Sequence, residues 1–410
     1  MSFNFDFQVY TIILLAVAAL SAAIVCFYYC PFVRRVSRRR RECCLTVDTP
    51  EGKRPEWVPA SIIIYAQGEA DRLENLLPVI LGQDYGGTFE VIVINEGDSA
   101  DVRSVINALQ LAHRNLYRTF TPDGARNLSR KKLALTLGIK AAKGDVILTT
   151  VANAVIPSDR WISTLAAPFI SDPQIELSLG YSRHDYTELG SSSRRYKEFF
   201  AFLTDARWIG YALMKKAYRG DGFNLAFRRE TFFSRKGYSK TINLHTGEDD
   251  LFVHDIATPY NTAVAISPEA IITTRWQDSS KRIFNLRRSQ YDFTARWLPL
   301  GPFVRAGLAS TAQWMILLTG IAAALIALPN LLPAAIAFIV WLIFIIADHR
   351  YSQTPHTFWK LRCPPEMFRY SGSLSRSTIC GFVPLTEAPD SKTSHGRGTN
   401  SPEIITSSLP

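Results

Sequence analysis

Short apolar runs alternate with amphipathic helical patterns between residues 59 and 274 of this chain. Three of the runs, Ser61–Tyr65, Phe89–Ile94 and Val146–Leu148, are rich in β-branched residues, and each is followed by a polar turn. Between the first two runs, leucines at helical spacing predict a helix over Asp71–Gln83. Strands and helices joined by short connections predict an α/β domain with a mostly parallel sheet.

The polar turns that follow the three runs contain Glu69, Glu96 and Asn153. The carboxyl ends of parallel strands lie at one edge of a sheet, and ligands of open α/β sheets bind at that edge. We therefore predict one ligand cleft there. Side-chain oxygens in these turns can accept hydrogen bonds from a ligand, although turn residues also serve simply to solvate strand ends.

Basic residues are unevenly spread along the 410 residues, which carry a formal charge of +10. An arginine cluster, Arg34–Arg41, directly follows the apolar run Val9–Cys30. The run is long enough to cross about 30 Å of hydrocarbon as a helix, and flanking arginines stay in the cytoplasm. The cluster lacks interleaved aromatic residues, so nucleic-acid binding is not predicted. No small-residue cleavage site follows the run, so we interpret it as a retained anchor rather than a signal peptide.

Two further apolar segments, Ala306–Leu328 and Leu331–Ala347, are separated only by Pro329 and Asn330. This spacing predicts a tight transmembrane hairpin, in which the shorter second segment is either a span with little tilt or a re-entrant segment. With the N-terminal anchor, the hairpin returns the C-terminus to the cytoplasm. The tail is rich in Ser, Thr, Pro and Gly and is predicted to be disordered.

These features divide the chain into six segments. The predicted order is a membrane anchor over 1–33, a basic cytoplasmic linker over 34–58, the α/β domain over 59–274, an amphipathic interfacial segment over 275–304, a transmembrane hairpin over 305–348 and a partly disordered cytoplasmic tail over 349–410. The interfacial segment mixes basic and aromatic residues directly before the hairpin, a composition typical of a helix that lies at the membrane surface.

Five stretches of the α/β region stand in a distinctive order: SIIIYAQGEADRLENLLPVILGQDY, FEVIVINEGDSAD, RKKLALTLGIKAAKGDVILTT, GDGFNLAFRRETF and TGEDDLF. In this order they resemble the family-two inverting glycosyltransferases, and the resemblance extends from residue 60 to residue 297. It implies a GT-A fold, Rossmann-like with a mostly parallel sheet, for the catalytic domain. That domain would be combined with the one N-terminal and two C-terminal transmembrane helices predicted above.

The resemblance also implies an activity, the transfer of a sugar from a nucleotide-sugar donor, such as a UDP-sugar, to a lipid-linked or polysaccharide acceptor. With the predicted topology, the catalytic domain would lie at the cytoplasmic face of the inner membrane of a bacterial cell, in a multi-pass protein of glycan synthesis. An inverting transfer needs a general base near the acceptor hydroxyl and positive charge near the departing diphosphate.

The stretch TGEDDLF supplies three candidates for the general base, Glu248, Asp249 and Asp250. The resemblance favours Asp249, because it is the second acid of the Glu-Asp pair that the family uses. Asp250 remains a rival through a register shift of one residue. Acids before an apolar run are also typical of a helix N-terminus, where they interact with the helix dipole.

The remaining stretches imply contacts with the two substrates. The donor-binding candidates are Glu69, Asn95, Glu96, Lys131, Ala152 and Asn153, and the candidates on the acceptor and diphosphate side are Gly222, Asn224, Arg296 and Trp297. Arg130 and Lys132, beside Lys131, can also face a diphosphate, although such a run is more typical of a solvated helix face. The family pattern Gln-x-x-Arg-Trp is not met, since five residues separate Gln290 from Arg296.

The turn after the third strand departs from the family pattern. In the family this turn carries two acids, one residue apart, that hold a divalent metal, whereas this chain has Val151 and Asn153 at those positions. The resemblance implies Mn²⁺ or Mg²⁺ as a cofactor, but an amide offers one oxygen and no charge. Three interpretations stay open: a cation held by the diphosphate, Asn153 and a distant ligand such as His254; basic residues in place of the cation; or a catalytically silent, transferase-like scaffold subunit.

Overall fold

The structure is a computed structural model that describes residues 9–45, 57–121, 128–185, 191–275 and 280–326. All of these residues fall within one structural unit of the chain. The second arm of the predicted hairpin, Leu331–Ala347, and the predicted disordered tail lie outside the described residues.

Helices and strands alternate through the α/β region as the sequence predicts. The helices are α1 (Val9–Leu45), α2 (Ala70–Leu81), α3 (Ala100–Gln110), α4 (Arg130–Ala141), α5 (Trp161–Ser171), α6 (Ser191–Leu213), α7 (Arg229–Ser234), α8 (Asp250–Ile256), α9 (Ser280–Thr294) and α10 (Leu300–Ile326). The strands are β1 (Ala60–Ala66), β2 (Phe89–Glu96), β3 (Leu116–Thr121), β4 (Val146–Val151), β5 (Ala154–Val155), β6 (Leu177–Leu179), β7 (Ser182–His184), β8 (Leu225–Arg228), β9 (Thr262–Val264) and β10 (Ile272–Thr274).

The main sheet has the strand order β3-β2-β1-β4-β8-β6-β9. Strand β1 pairs in parallel with β2 and β4, while β8 runs antiparallel to β4 and β6. In this register Ala66 lies opposite Asn95, and Tyr65 lies opposite Val151. The predicted α/β fold is therefore confirmed, and the polar turns after β1, β2 and β4 lie side by side at one edge.

The central strand is buried on both faces, which explains its continuous apolar sequence. Ile62, Ile63 and Ile64 are all 0% exposed. Because successive side chains of a strand point to opposite faces, Ile63 joins one core cluster and its two neighbours join the other. Residues of α4 and α6 contribute to the first cluster and residues of α2, α3 and α5 to the second. Helices therefore cover both faces of the sheet, as expected for parallel strands.

A second, small sheet in the order β5-β10-β7 holds the turn that follows β4. Thr274 of β10 pairs with Ala154 on one side and with His184 on the other. The Arg275 N–H donates a hydrogen bond to the Asn153 carbonyl at 3.0 Å. Backbone hydrogen bonds thus fix the position of this turn, whichever side chains it carries.

Helix α1 continues from the apolar run into the arginine cluster without a break. Its segment Ile12–Arg39 is long and apolar enough to cross a membrane. The linker that we predicted to begin at residue 34 is therefore helical as far as Leu45. Pro31 lies inside the helix without ending it.

Packing against the α/β domain explains why α1 persists beyond the apolar run. Phe32, Val33 and Val36 are buried and belong to the same core cluster as residues of α6. The Phe32 ring lies 5.1 Å from the ring of Tyr211 in α6. The chain therefore remains helical because these apolar side chains are buried only if the helix reaches the domain.

Helix α10 packs against α1 and contains most of the first arm of the predicted hairpin. Ala309, Ala312 and Ile316 are buried, whereas Leu308 and Leu318 are exposed. Small buried residues at this spacing allow two helices to approach closely. The pair of helices leaves apolar side chains uncovered on its outer surface.

We predict that Gly210→Ala destabilises the protein, because a Cβ at this position in α6 would collide with the Phe32 ring. The expected loss is about 1–3 kcal/mol in the free energy of unfolding, as for other overpacked sites. Thermal unfolding of the purified chain measures it. Gly307→Ala is the control, because a Cβ there meets nothing within 4 Å.

Phe32→Leu in the Gly210→Ala background should relieve the collision. The loss in the double variant should then be smaller than the sum of the two single losses. A Gly210→Ala variant that melts like the native protein would contradict the packing of α1 on α6.

Candidate active site

The acidic sequence Glu248-Asp249-Asp250 forms the entry to helix α8. Gly247 precedes it at a φ of +96°, a left-handed conformation that favours glycine and turns the chain toward the helix. Asp249 caps the helix, since its Oδ1 accepts a hydrogen bond from the Asp250 N–H at 2.8 Å. The helix start therefore accounts for part of the acidic sequence, but the three side chains enter different surroundings.

Glu248 is buried and forms an ion pair with Lys131 of α4. Burial opposes ionisation of this carboxyl, but the Lys131 ammonium outweighs burial and lowers the pKa of Glu248. The side chain is therefore ionised and already bound to a cation. Its direct structural effect is to hold α4 against the entry to α8.

Asp250 is enclosed by partners from two other segments. Its Oδ1 lies 3.1 Å from Arg219 Nε, and its Oδ2 accepts a hydrogen bond from Thr294 Oγ1 at 2.8 Å. Burial raises the pKa of Asp250 to about 7, although Arg219 acts in the opposite direction. A substrate hydroxyl would have to displace these partners to reach the carboxyl. The hydrogen bond to Thr294 also ties α8 to the end of α9.

Asp249 differs from both neighbours because it is only half-buried and forms no ion pair with a described residue. Burial raises the pKa of its carboxyl, and the Glu248 carboxylate adds to this effect, while Arg287 and Lys131 oppose it. Its Oδ2 accepts one long hydrogen bond, 3.3 Å, from the Gly222 N–H. A partly exposed carboxylate with a raised pKa is well suited to accept a proton.

Gly222 lies directly beside Asp249. A Cβ at residue 222 would be 2.9 Å from the Asp249 Cβ, so the close approach of the two segments requires glycine. The Gly222 carbonyl accepts a hydrogen bond from Thr149 Oγ1 of β4 at 2.9 Å, which ties this segment to the sheet edge. The glycine that the sequence places on the acceptor side thus contacts the candidate base.

Two cationic side chains lie over the ring of Phe223, the residue after Gly222. Lys131 Nζ is 5.1 Å and the Arg287 guanidinium carbon 4.5 Å from the ring centroid. Sequence reasoning missed Phe223 and placed Arg287 in a segment on the membrane surface. The structure instead buries Arg287, because its position on α9 faces the Asp221–Phe223 segment.

At the sheet edge predicted to bind the donor, Asn95 and Glu96 have different surroundings. Asn95 is fully buried, and its amide donates to the Ser99 carbonyl at 2.9 Å and accepts from the Ser99 N–H at 3.1 Å, so it shapes the turn after β2. Glu96 Oε1 lies 3.5 Å from Arg130 Nη1, whereas Oε2 is buried without a hydrogen-bond partner among the described residues. Glu69 accepts from the Gln67 N–H in its own turn. Glu96 therefore has an acceptor atom left for a ligand.

The turn after β4 is buried, with Ala152 2% and Asn153 7% exposed. Asn153 Oδ1 has no hydrogen-bond partner among the described residues. A crevice directly beside this turn is lined by three predicted site residues, Lys131, Gly222 and Glu248, and also by Tyr65 and Val151. Residues predicted for the donor side and for the base side therefore meet in one place.

The side chains around this turn fit a divalent cation only in part. The described residues contain no group of three or more His, Cys, Asp or Glu side chains placed to hold a metal. His254, considered above as a distant ligand, is exposed on α8. Asn153 Oδ1 offers one oxygen, so a cation here would take its other ligands from a bound substrate and from water.

Three other predicted site residues lie in distinct surroundings. Asn224 is fully buried, and its amide accepts from Trp161 Nε1 at 3.0 Å and donates to the carbonyls of Tyr181 and Ala270 at 2.8 and 2.7 Å. It therefore joins segments beneath the site. Arg296 and Trp297 are exposed in a short 3₁₀-helix after α9, and their substrate contacts stay a prediction.

Lys132 has a structural role that its sequence context conceals. It is 0% exposed, and its Nζ donates to the carbonyls of Thr241, Leu244 and Thr246 at 2.6, 3.1 and 2.8 Å. Burial lowers the pKa of Lys132 to about 8, although nearby Glu248 and Asp249 oppose the shift. All three ammonium protons are used, so Lys132 holds the loop before the acidic sequence and is not available to a diphosphate.

Comparison with known families identifies a match over much of the α/β region. Residues 61–241 match the sequence model of the family described as Glycosyl transferase family 2. The resemblance to family-two glycosyltransferases is thus confirmed over these residues, from β1 to the loop before the acidic sequence. No curated protein sequence matches the chain.

Three solved structures are similar to this chain to different degrees. A mannosyltransferase from Pyrobaculum calidifontis, PcManGT in complex with GDP-Man and Mn²⁺, is similar at 19% identity and a TM-score of 0.51, over 83% of this chain and 96% of that chain. Glucosyl-3-phosphoglycerate synthase from Mycobacterium tuberculosis, with Mn²⁺, UDP-glucose and glycerol 3-phosphate, is 17% identical with a TM-score of 0.39, over 61% and 86% of the two chains. The S. aureus protein TarS is 16% identical with a TM-score of 0.40, over 53% and 37%. The likeness to the first of these supports the GT-A fold.

We predict that Lys132→Met destabilises the protein, because three loop carbonyls lose their donor. The expected loss is roughly 1–3 kcal/mol in the free energy of unfolding, the range for buried groups left without a partner. Chemical unfolding of the purified chain measures it. Lys140→Met, an exposed lysine on the same helix, is the matched control. Equal stability of the two variants would exclude the structural role of Lys132.

Proposed function

We propose that this protein is an inverting glycosyltransferase in which Asp249 is the general base. The observation that carries this proposal is the difference between the three acids at the start of α8. Glu248 is bound to Lys131, and Asp250 is enclosed by Arg219 and Thr294. Asp249 is left half-buried, with a raised pKa and beside Gly222.

The proposed reaction is a single displacement at the anomeric carbon of the donor sugar. The acceptor hydroxyl oxygen forms a bond to this carbon, and the bond from the carbon to the diphosphate oxygen breaks. The hydroxyl proton moves to the Asp249 carboxylate, and the nucleoside diphosphate departs with the electron pair of the broken bond. Attack from the opposite side inverts the configuration. Lys131, near Asp249 and Phe223, supplies positive charge near the departing group.

For the donor we propose a nucleotide sugar, with a UDP-sugar as the expected class. Glu96 Oε2 is the supporting feature, because a buried carboxylate oxygen without a partner among the described residues can accept a hydrogen bond from a base N–H. Asn95, Ala152 and Asn153 would shape the same edge through the backbone, and Glu69 would lie at its rim. The donor sugar itself would be selected by contacts in the crevice.

We propose Mn²⁺ or Mg²⁺ as a cofactor that binds together with the donor. Mn²⁺ is present in the PcManGT complex, whose fold this chain shares. In this chain Asn153 Oδ1 is the buried oxygen available at the turn after β4. When bound, the cation would add positive charge at the diphosphate. Lys131 and the Asn153 amide are the groups that this chain itself contributes there.

We further propose that the protein works at the cytoplasmic face of the inner membrane, on a lipid-linked or polysaccharide acceptor. Supporting features are the apolar segment Ile12–Arg39, the arginines at its end and the exposed apolar side chains of α10. Arginines that flank a span remain cytoplasmic. The exposed Trp297, between α9 and α10, would lie at the membrane surface, where aromatic residues are enriched.

One feature favours a second function, that of a catalytically silent subunit that supports a membrane assembly. Val151 and Asn153 occupy the positions at which the resembling enzymes carry acids. A scaffold of this kind would keep the fold and the packing around Asp249 but would not depend on the Asp249 carboxylate.

Release of a nucleoside diphosphate tests the proposal. The full-length protein in lipid nanodiscs is incubated with UDP-glucose, UDP-N-acetylglucosamine, UDP-galactose or GDP-mannose and with membrane lipid extract, in the presence of Mn²⁺ or Mg²⁺. The proposed function predicts acceptor-dependent release of UDP or GDP from one donor. If no donor yields product with any extract, and the Asp249→Asn protein still restores surface glycan in deficient cells, the scaffold function is the correct one.

We predict that Asp249→Asn lowers the rate of sugar transfer by about 10²-fold or more, the usual contribution of a general base. Asp255→Asn, an exposed acid on the same helix, should leave the rate unchanged. The loss should appear in kcat at saturating donor. A rate in Asp249→Asn equal to the native rate would assign the proton transfer to another group.

The pH dependence of the rate follows from the same carboxyl. Asp249 acts as a base only when ionised, so the rate should fall as the pH drops through the pKa of Asp249, which is raised from the ordinary value of an aspartate. Glu248→Gln removes a neighbouring negative charge and frees Lys131, and both changes lower the pKa of Asp249. The acid limb of the rate profile should therefore move to lower pH in that variant.

Metal binding gives a further prediction. Mn²⁺ should bind weakly to the protein alone and more tightly in the presence of UDP, because Asn153 supplies a single neutral ligand. Asn153→Asp adds a carboxylate and should increase the affinity for Mn²⁺, as measured by calorimetry, whereas Asn75→Asp, at an exposed position on α2, should not. Tight binding of Mn²⁺ to the native protein without nucleotide would contradict this arrangement.

A further inference from the structure

Linked ring contacts attach helices α1 and α10 to the α/β domain. The ring centroid of Phe32 in α1 lies 5.1 Å from that of Tyr211 in α6, which lies 5.5 Å from that of Tyr218. Tyr218 in turn lies 6.0 Å from Phe303 of α10. Before Phe32 and after Phe303, the two helices pack against each other. The rings therefore mark the boundary between the domain and the apolar helix pair.

Three exposed arginines lie at this boundary. Arg34 and Arg35 are two and three residues after Phe32, and Arg305 is two residues after Phe303. None of the three side chains forms an ion pair with another described residue. We call Arg34, Arg35 and Arg305 the boundary arginines. Their charges are available to an anion outside the protein.

The helix pair carries positive charge without compensating acids. Residues 9–41 contain six arginines, residues 293–326 contain two, and neither range contains an Asp or a Glu. In the α/β domain, by contrast, exposed basic side chains such as Lys240 and Arg103 have acidic partners, each at 2.7 Å. A cationic surface that the protein itself does not neutralise attracts anions.

Apolar side chains beside the boundary arginines indicate a bilayer rather than a soluble anion. On α10, Arg305 lies between Val304 and Leu308, which are 48% and 61% exposed. Trp297 and Leu300, just before them, are 44% and 73% exposed. An arginine can lay its aliphatic stem on apolar surface and extend its charge to the headgroups, and Trp is enriched at the same depth.

We propose that the boundary arginines bind the headgroups of anionic phospholipids. The proposal rests on the proposed membrane location and goes beyond it, because it concerns neither the donor nor the acceptor but the lipids around the helix pair. A guanidinium can donate two parallel hydrogen bonds to phosphate oxygens. Zwitterionic headgroups also carry a phosphate, but their ammonium group cancels its charge. The arginines would therefore prefer lipids with a net negative charge.

The test measures which lipids associate with the full-length protein. The protein is reconstituted in phosphatidylcholine vesicles that contain a trace of spin-labelled phosphatidylglycerol or spin-labelled phosphatidylcholine. Electron paramagnetic resonance then gives the share of each labelled lipid that is held at the protein surface. The native protein should hold phosphatidylglycerol about fivefold more strongly, the ratio expected for one arginine near an anionic headgroup. Equal association of the two lipids would overturn the proposal.

Substitution of the boundary arginines should remove most of this preference. The boundary variant combines Arg34→Gln, Arg35→Gln and Arg305→Gln. Its preference should be about twofold or less, with the remainder due to the rest of the α1 arginine cluster. The matched control combines three exposed positions of the α/β domain, Arg114→Gln, Lys140→Gln and Arg235→Gln. The control loses the same net charge and should keep the native preference. A control that loses as much as the boundary variant would assign the preference to overall charge and overturn the proposal.

A lysine variant distinguishes lost charge from disturbed packing. Arg34→Lys, Arg35→Lys and Arg305→Lys together keep the charge, so this protein should retain more than half of the preference. A loss as complete as in the boundary variant would contradict the proposal. Added inorganic phosphate, at constant ionic strength, should leave the native preference unchanged. If it abolishes the preference, the arginines bind a soluble anion and not a lipid.

Salt dependence gives a measurement that needs no variant. The native preference should fall between about 0.05 M and about 0.5 M NaCl, because salt screens exposed charges. A preference that is equal at both concentrations would exclude an electrostatic contact with headgroups.

The lipid proposal and the proposed membrane location fail in different ways. If the native protein does not float with vesicles of either lipid, the proposed location fails. If it floats with the vesicles but shows no preference for phosphatidylglycerol, only the lipid proposal fails. Neither measurement uses a nucleotide sugar, so both outcomes are independent of glycosyl transfer.

Discussion

The parallel pairing of β1 with β2 on one side and β4 on the other is the constraint on which the whole site depends. Both faces of β1 are buried, so a slip of one residue would exchange its side chains between the two core clusters. The fixed register brings the ends of the three strands to one edge, with Tyr65 opposite Val151. The turn at Asn153 keeps its place through this pairing and through β10, although its side chains differ from those of the resembling enzymes.

A second layer of organisation comes from the cations around the acidic sequence. Three neighbouring carboxyl groups in a buried position would repel one another and tend to become protonated. Lys131 and Arg219 each neutralise one of them. As a result the acids at the start of α8 are chemically distinct, and a single one remains both ionisable and partly accessible. The same ion pairs also hold α4 and the segment before Gly222 against the start of α8.

The sequence predicts the sheet and the edge at which the three polar turns meet, because strand burial and helical periodicity are local patterns. Ile62–Ile64 reads as a buried strand, and the three polar turns follow from strand order. The contacts that each side chain makes are harder to predict. Lys132 lies in a basic run that is typical of a solvated helix face, yet carbonyls more than a hundred residues later surround it. Arg287 likewise reads as one basic residue among several, and only the distant segment at Asp221 explains its burial.

The path of helix α1 has a consequence for how a substrate can reach this site. A helix is stiff and rises about 1.5 Å per residue, and α1 enters the domain core at Phe32 without an intervening loop. In the proposed membrane orientation, a continuous helix rather than a flexible linker joins the membrane span to the domain. The distance of the cleft from the bilayer and the orientation of the cleft would then be fixed, so the domain could not move toward its acceptor. The length of the acceptor, not the movement of the protein, would decide which hydroxyl comes within reach of Asp249.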